Sequence, residues 1–539
     1  MTAVVISGLE KVFPTKPITT PQIVPLSLLD ATTAEFAFTS AVWLFNPPST
    51  PIPDVASHLK QSLAGTLLYY PQWCGTCKPS SSTAIASHHT DRLGRIHVHF
   101  GLPSDPGVEL VTGSTSSSLD DLYPSKRITT NPIWTNPDLS AFLPPTKIGS
   151  TLALNDTQEP LLAIQLTTTS CNGFVLGIKA AHPMADITSL IHFVKTWAAI
   201  ANSPSKELSS LPVSDPSNLD AFAAGDINAP NPHPTVIEKV KALPMHRYDW
   251  WHPHSIKNCP WPTSGPPDGF QIEEEIETGN KPMPWHEWDV SAPVERRVIH
   301  FTAEQIEILF ERANRNPERK LSKHDAIVSH IWSCITRARK PNPQQDDTEP
   351  IHCDLVIGVR RALGLGEAFQ GSPIVIVNVE MPVSEVSIPD NTAKIAEKIR
   401  ETIEKVNNKE ALAAHLHGLA FEKSPQRIWQ AFLGRRHILV TSWVRAGLYE
   451  IDFGFGGGVR YSEGIVPAMD GNVVVKEGPP LELGGNGKEG WSRNGVDVLV
   501  CLRDEDMQRF VEDEFLMPEK FYVKECYRIG LKMAGIIWV

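Results

Sequence analysis

Apolar and polar positions along this chain change period repeatedly. HLKQSLAGTLLYYP (58–71) carries Leu59, Leu63, Leu67 and Leu68 at helical spacing. RIHVHF (95–100) alternates as a half-buried strand does. LLAIQLTTTS (161–170) and FVLGIKAA (174–181) are two β-type runs joined by Cys171-Asn172-Gly173, and Asn-Gly is a strong hairpin signal. In ITSLIHFVKTW (187–197), Ile187, Leu190, Ile191, Val194 and Trp197 share one helical face. Between that strand and that helix stands AHPMADITS (181–189), with His182 and Asp186 four apart.

Regularity lapses from about 203 to 295. This stretch is proline-rich, contains the acidic run EEEIE, and holds Trp250, Trp251, Trp261, Trp285 and Trp288. It reads as a long ordered crossover with its tryptophans pinned against one or both flanking units. Beyond it, VIHF predicts a strand and TAEQIEILFERAN a helix starting near Thr302. LSKHDAIVSHIWSCITRAR predicts a second helix capped by Ser322 or Asp325. Strands follow at DLVIGVR, SPIVIVNVEM, VVVKEG and VDVLVCL, with a helix from Asn391 to about Asn407. Mixed β and α segments on both sides predict an α/β layer structure twice over, in units 1–202 and 296–539 joined by 203–295. A chain of 539 residues is long enough for two such cores.

Composition narrows the function. Hydrophobic residues make up 41% and charged residues 20%, as in ordinary soluble proteins. The net charge of −12 carries no phosphate-backbone footprint, so nucleic acid is not an expected partner, although a local basic funnel for an anionic cosubstrate is compatible with it. Nowhere do eighteen apolar residues run together, and MTAVVISGLEKVFPTKP lacks a basic leader before its apolar run. A cytoplasmic protein with no membrane partner is expected. Eight cysteines in this length are not a disulfide framework. Cys74 and Cys77 form a CxxC with His88 and His89 following, but the pair falls in a Pro/Gly turn without the regular spacing of a zinc site, so no metal is expected.

Pro183 suits the first turn of a helix, which places His182 at the strand–helix junction near the positive end of the helix dipole. That field disfavours imidazolium, and a neutral imidazole near pH 7 has the profile of a general base. Spacing alone leaves Asp186 two roles: orienting His182, or pairing with a distant arginine. The chain has no GxSxG elbow and no GxxxxGK[ST] loop, the glycines at 454–458 do not form GxGxxG because Val459 stands at the last position, and the DFG at 452–454 follows no HRD.

TSWVRAGLYEIDFGFGGG (441–458) adds a second signal. With HPMAD at 182–186 and DFGFG at 452–456, some 270 residues apart, the chain resembles the BAHD-type acyltransferases, whose signatures are HxxxD and DFGWG. LKQSLAGTLLYYPQWCG, PLLAIQLTTTSCNGFVLGIKAAH, SKHDAIVSHIW, GVRRALG and GVDVLVCLRDEDMQRF are also similar to family segments, so the likeness spans most of residues 15–516. It implies two chloramphenicol-acetyltransferase-like domains with mixed β-sheets flanked by helices and an active-site tunnel between them. It further implies transfer of an acyl group, plainest as acetyl, from coenzyme A to a hydroxyl of a secondary metabolite, with acyl-CoA as cosubstrate and no permanently bound cofactor.

By the same resemblance His182 would deprotonate the acceptor and Asp186 would pair with Arg360. Thr441 would donate to the oxyanion and Trp443 would line the acceptor pocket. Ser322 would lie near the pantetheine arm. Asp452, Gly454 and Gly456 would maintain a turn on the coenzyme side, distant from the chemistry. A site completed within one chain makes a monomer sufficient.

Departures from the pattern point to a fungal-type branch. Phe455 replaces a tryptophan, Ala181 and Ile187 stand where histidine and glycine are usual, and FQGS (369–372) places Ser372 at an asparagine position expected to contact coenzyme A. The last of these motivates an alternative, a CoA-independent cyclase or isomerase with the same tunnel and histidine. A non-catalytic binding module is a third reading, which the intact HxxxD disfavours.

Overall fold

The computed structural model describes residues 3–519, leaving out 250–280, 150–158, 341–349, 481–489 and shorter stretches elsewhere. Trp250, Trp251, Trp261, Trp288, the EEEIE run and the tail from 520 lie outside the described residues.

Two sheets dominate. The first has six strands, ordered Val5–Val12, Val108–Ser114, Leu162–Thr168, Phe174–Ala180, Thr39–Phe45 and Val459–Gly464. The second has seven, ordered Ile374–Met381, Ile351–Gly358, Ile438–Ser442, Asn472–Glu477, Val496–Arg503, Val294–Phe301 and Ile133–Trp134. Both are mixed: Val108–Ser114 runs parallel to Leu162–Thr168, and Ile438–Ser442 is parallel to both its neighbours. The hairpin read at Asn172 is present, with Asn172 in the left-handed region at φ 63°. Helices Val55–Thr66 and Ile187–Asn202 pack together on the first sheet, the indole of Trp197 donating to the Leu59 carbonyl at 3.1 Å. Helices Ala303–Ala313, Lys323–Ala338 and Thr392–Val406 bury apolar faces in the second core.

The two halves exchange strands. Val459–Gly464, late in the chain, closes the first sheet, and Ile133–Trp134, early in the chain, forms an edge of the second. Trp443, Leu448, Ile451, Phe453 and Phe455 belong to the first hydrophobic core, while Leu28 and Leu29 belong to the second. A buried ionic knot fastens the exchange: Arg127 reaches Asp497 at 2.9 Å, His300 Nδ1 lies 2.8 Å from the same carboxylate, and Lys476 lies 3.5 Å away. Arg127 and Lys476, with the His300 hydrogen bond, hold the Asp497 carboxyl below its ordinary range despite its burial.

The DFGFG turn is a packing device. Along 451–459 residues alternate buried and exposed, with Phe453 and Phe455 inward and Asp452, Gly454 and Gly456 outward. Phe453 stands edge-on to Phe45 and Trp197 at 5.6 and 5.1 Å, and Phe455 to Phe174 at 6.0 Å. Asp452 accepts the Gly454 N–H at 2.8 Å, which shapes the turn. Gly454 has φ +82°, and a Cβ there would meet the Asn202 side chain at 2.7 Å.

The described part of 203–295 is tied down at several points. Val213 bridges Phe369, Asp220 accepts the Leu28 N–H at 2.9 Å, and Trp285 is buried. No helix among the described residues is long and apolar enough to cross a membrane. Burial pushes the thiols of Cys74 and Cys77 up to about 12.

Truncating Phe453, which is 2% exposed, should open a cavity where the halves interlock. Phe453→Ala is expected to lower unfolding free energy by about 3–5 kcal/mol in chemical denaturation.

Candidate active site

The strand Phe174–Ala180 delivers the chain to His182, which begins a short 3₁₀ turn, His182–Met184, with Pro183 in it. The α-helix itself starts at Ile187, five residues after His182, with Asp186 as its N-cap accepting the Ser189 N–H at 3.0 Å. His182 is thus not in the first turn of that helix. Its pKa does lie below the ordinary histidine value, but burial is the cause, offset in part by a bond to its own backbone and by the Asp186 charge. His182 as a residue is partly exposed, while Pro183, Met184, Ala185 and Asp186 are buried.

Asp186 faces away from that ring in its bonding. Its carboxylate takes a two-pronged guanidinium contact from Arg360, Nη1 to Oδ2 at 2.5 Å and Nη2 to Oδ1 at 2.9 Å. Arg360 also donates to the Phe369 carbonyl at 3.0 Å and to Ser189 Oγ at 2.8 Å. Ser189 Oγ donates to the Gly371 carbonyl at 2.9 Å, and Asp186 N–H donates to that same oxygen at 3.0 Å. The loop 182–189 of the first half is therefore clamped to 360–372 of the second.

That clamp brings Ser372 onto the histidine. Ser372 is fully buried, its Oγ lies 3.1 Å from His182 Nδ1, and the same hydroxyl donates to the His182 carbonyl at 2.5 Å. The expectation for this position was a coenzyme contact; in the structure its hydroxyl is engaged by the histidine loop.

Register locates the remaining residues. In the second sheet Leu355 pairs with Val440 and Gly358 with Ile374, so Thr441–Trp443, Arg360 and Ser372 gather at one end of that sheet. In the first sheet Thr39 pairs with Ala180 and Ala41 with Gly464, which is the end bearing His182. Trp443 joins the two ends: it is 6% exposed, and a Cβ on Gly464 would meet its ring at 2.4 Å. Thr441 is half-buried on the strand leading to it. The candidate site is the seam where these sheet ends meet.

Two expected groups lie elsewhere. The DFGFG turn packs at Phe45 and Phe174, the opposite end of the strand that leads to His182, roughly 20 Å away at about 3.3 Å per residue. Asp452, Gly454 and Gly456 thus support the fold at a distance. Ser322 caps helix Lys323–Ala338 in a capping box with Asp325, and Arg400 donates to both, at 3.0 Å to the hydroxyl.

Sequence reasoning missed Asp30. It lies in the helix Leu28–Thr32, accepts the Ser372 N–H at 2.5 Å and the Ser27 N–H at 3.0 Å, and burial raises its pKa to about 7. The capping pattern Ser27-x-x-Asp30 in PLSLLD was legible; its partner 342 residues later was not.

Arg360→Ala should leave the Asp186 carboxylate buried without its partner, at a cost of about 3–5 kcal/mol. Arg360→Lys, which cannot make the two-pronged contact, should recover only part of the loss in thermal unfolding.

The Transferase family matches the chain over residues 2–244 and 277–517. Acyltransferase AFT15-1 of Alternaria alternata is 28% identical over 533 residues, covering 95% of this chain and 97% of that protein. Trichothecene 3-O-acetyltransferase of Saccharomyces cerevisiae is 24% identical over 372 residues, 67% of each chain. Among solved structures, TRI101 of F. sporotrichioides, complexed with coenzyme A and T-2, aligns at TM-score 0.60 and 17% identity, over 92% of this chain and 98% of that one. With two mixed sheets meeting at a histidine seam and a family match across both halves, this chain belongs to the Transferase family, the BAHD-type acyltransferases, and has their two-domain chloramphenicol-acetyltransferase-like fold.

Proposed function

We propose that this acyltransferase moves an acyl group, acetyl in the plainest case, from coenzyme A to a hydroxyl of a secondary metabolite, with His182 as general base. The observation that carries the reading is an imidazole held at the seam between two sheets by a clamp that leaves Asp186 fully occupied, with burial lowering its pKa. His182 takes the hydroxyl proton as the oxygen attacks the thioester carbonyl, a contribution of roughly 10²–10⁴ in rate. The tetrahedral intermediate then collapses with loss of the coenzyme A thiolate, which recovers the proton.

Thr441, beside Trp443 at the same sheet end, is assigned as oxyanion donor, a role worth about 3–4 kcal/mol in other enzymes. Trp443 forms a wall of the acceptor side. A passage between the sheets, with Ser322 near the pantetheine arm, would hold both substrates in one chain, so a monomer suffices; confinement of this kind supplies the entropic share of the acceleration. Support comes from the relatives' names and from the coenzyme A and T-2 bound to the F. sporotrichioides structure.

Incubating the purified protein with a panel of acyl-CoAs and a host metabolite extract should release free thiol and yield products heavier by the acyl group. Thiol release without any new mass, or new masses without an acyl-CoA, would overturn the reading, and the latter would favour the cyclase or isomerase. His182→Ala is expected to lower turnover by at least about 10²-fold with acyl-CoA affinity unchanged. Because burial sets the His182 pKa below 6.5, kcat should be flat through pH 7 and fall only on the acid side of 6.5, as protonation removes the base.

A further inference from the structure

A base needs its lone pair on the right nitrogen, and imidazole has two candidates. The surroundings of His182 decide between them. Ser372 has a single hydroxyl proton, which it donates to the His182 carbonyl at 2.5 Å. Towards Nδ1, 3.1 Å away, the same oxygen can therefore only accept. The ring also bonds its own main chain, which only Nδ1 of a histidine can reach. Both partners at this nitrogen are acceptors.

We infer that Ser372, anchored through its N–H on Asp30, is a positioning residue that keeps the His182 proton on Nδ1 and the basic lone pair on Nε2. The inference rests on His182 acting as the base, as proposed above.

The anchor is built for that purpose. Ser372 N–H donates to Asp30 Oδ1 at 2.5 Å, and Ser27 N–H donates to Oδ2 at 3.0 Å. Ser27 Oγ accepts the Asp30 N–H at 3.2 Å, closing a capping box that fixes the carboxylate's direction. Gly371 adopts φ +119°, and a Cβ there would meet Asp30 Oδ1 at 2.6 Å, so the backbone approaches the carboxylate only because residue 371 has no side chain. Asp220 sits at the same helix start, accepting Leu28 N–H at 2.9 Å and facing His89 at 3.1 Å, and its charge adds to the upward push on Asp30. Asp186 and Arg360 hold the histidine loop from its other side, with His192 on the following helix within the influence of Arg360. Losing Ser372 removes one of the two acceptors at Nδ1 and leaves the ring, so the other tautomer with its proton on Nε2 competes.

The test reads the tautomer directly. In full-length protein labelled with ¹⁵N-histidine at pH 7.5, the His182 ring signals are those absent from His182→Gln. The wild type should show Nδ1 protonated and Nε2 unprotonated. Ser372→Ala should draw both shifts towards intermediate values, and kcat with acetyl-CoA and the extract should fall roughly tenfold, the scale of one neutral hydrogen bond, with the acetyl-CoA KM unchanged. Asp30→Asn, which leaves both residues in place, should move the same signals in the same sense. If Ser372→Ala does not unfold cooperatively, Ser372→Cys preserves the volume with a far weaker acceptor and should give the same mixed signals.

A wild-type Nε2–H ring, or unchanged shifts on replacing Ser372, would overturn the inference. The two readings fail separately: mixed tautomers in Ser372→Ala with no acyl transfer by the wild type would sink the proposed function alone, and acyl transfer with unaltered tautomers would sink this one alone.

Discussion

The arrangement of the active seam depends on one buried ion pair, Asp186 with Arg360. A carboxylate that is 6% exposed and a guanidinium that is 7% exposed are costly to bury apart and tolerable only together. Every other contact of the clamp follows from their union. Asp186 caps the helix behind the histidine, Arg360 holds the Phe369 and Gly371 carbonyls, and Ser189 stitches the two loops. One pair thereby sets the spacing between halves whose sequences are far apart.

This accounts for the division of labour in HPMAD. The aspartate spends its charge on a distant arginine, so the histidine is left with a weak field from it and no direct relay. What lowers the His182 pKa is desolvation. A helix dipole would have acted in the same direction, but the α-helix begins at Ile187, because Asp186 rather than Ala181 supplies the capping oxygen. Proline at 183 began a 3₁₀ turn, which satisfies the same φ requirement in fewer residues.

Local features were readable in advance because local residues determine them. The hairpin at Asn172-Gly173, the cap at Ser322 and the helix Thr392–Val406 each depend on neighbours within a few positions. The family likeness carried the global architecture. What could not be read was pairing at long range: Asp30 beneath Ser372, and the two-residue strand Ile133–Trp134, too short to show any period, at the edge of the other half's sheet. Ser372 is the instructive case. Its sequence position suggested a ligand contact, but burial and two bonds to His182 give it a partner no spacing rule indicates.

The exchanged strands bear on how the molecule comes into being on the ribosome. The first sheet lacks its sixth strand until residue 464 has been synthesised, so the early half must wait with the Thr39–Phe45 edge exposed. Unpaired edges of this kind invite wrong partners, and contacts closed over more than four hundred residues form slowly. Each half completes the other's sheet, so closing the first sheet is expected among the late steps of folding.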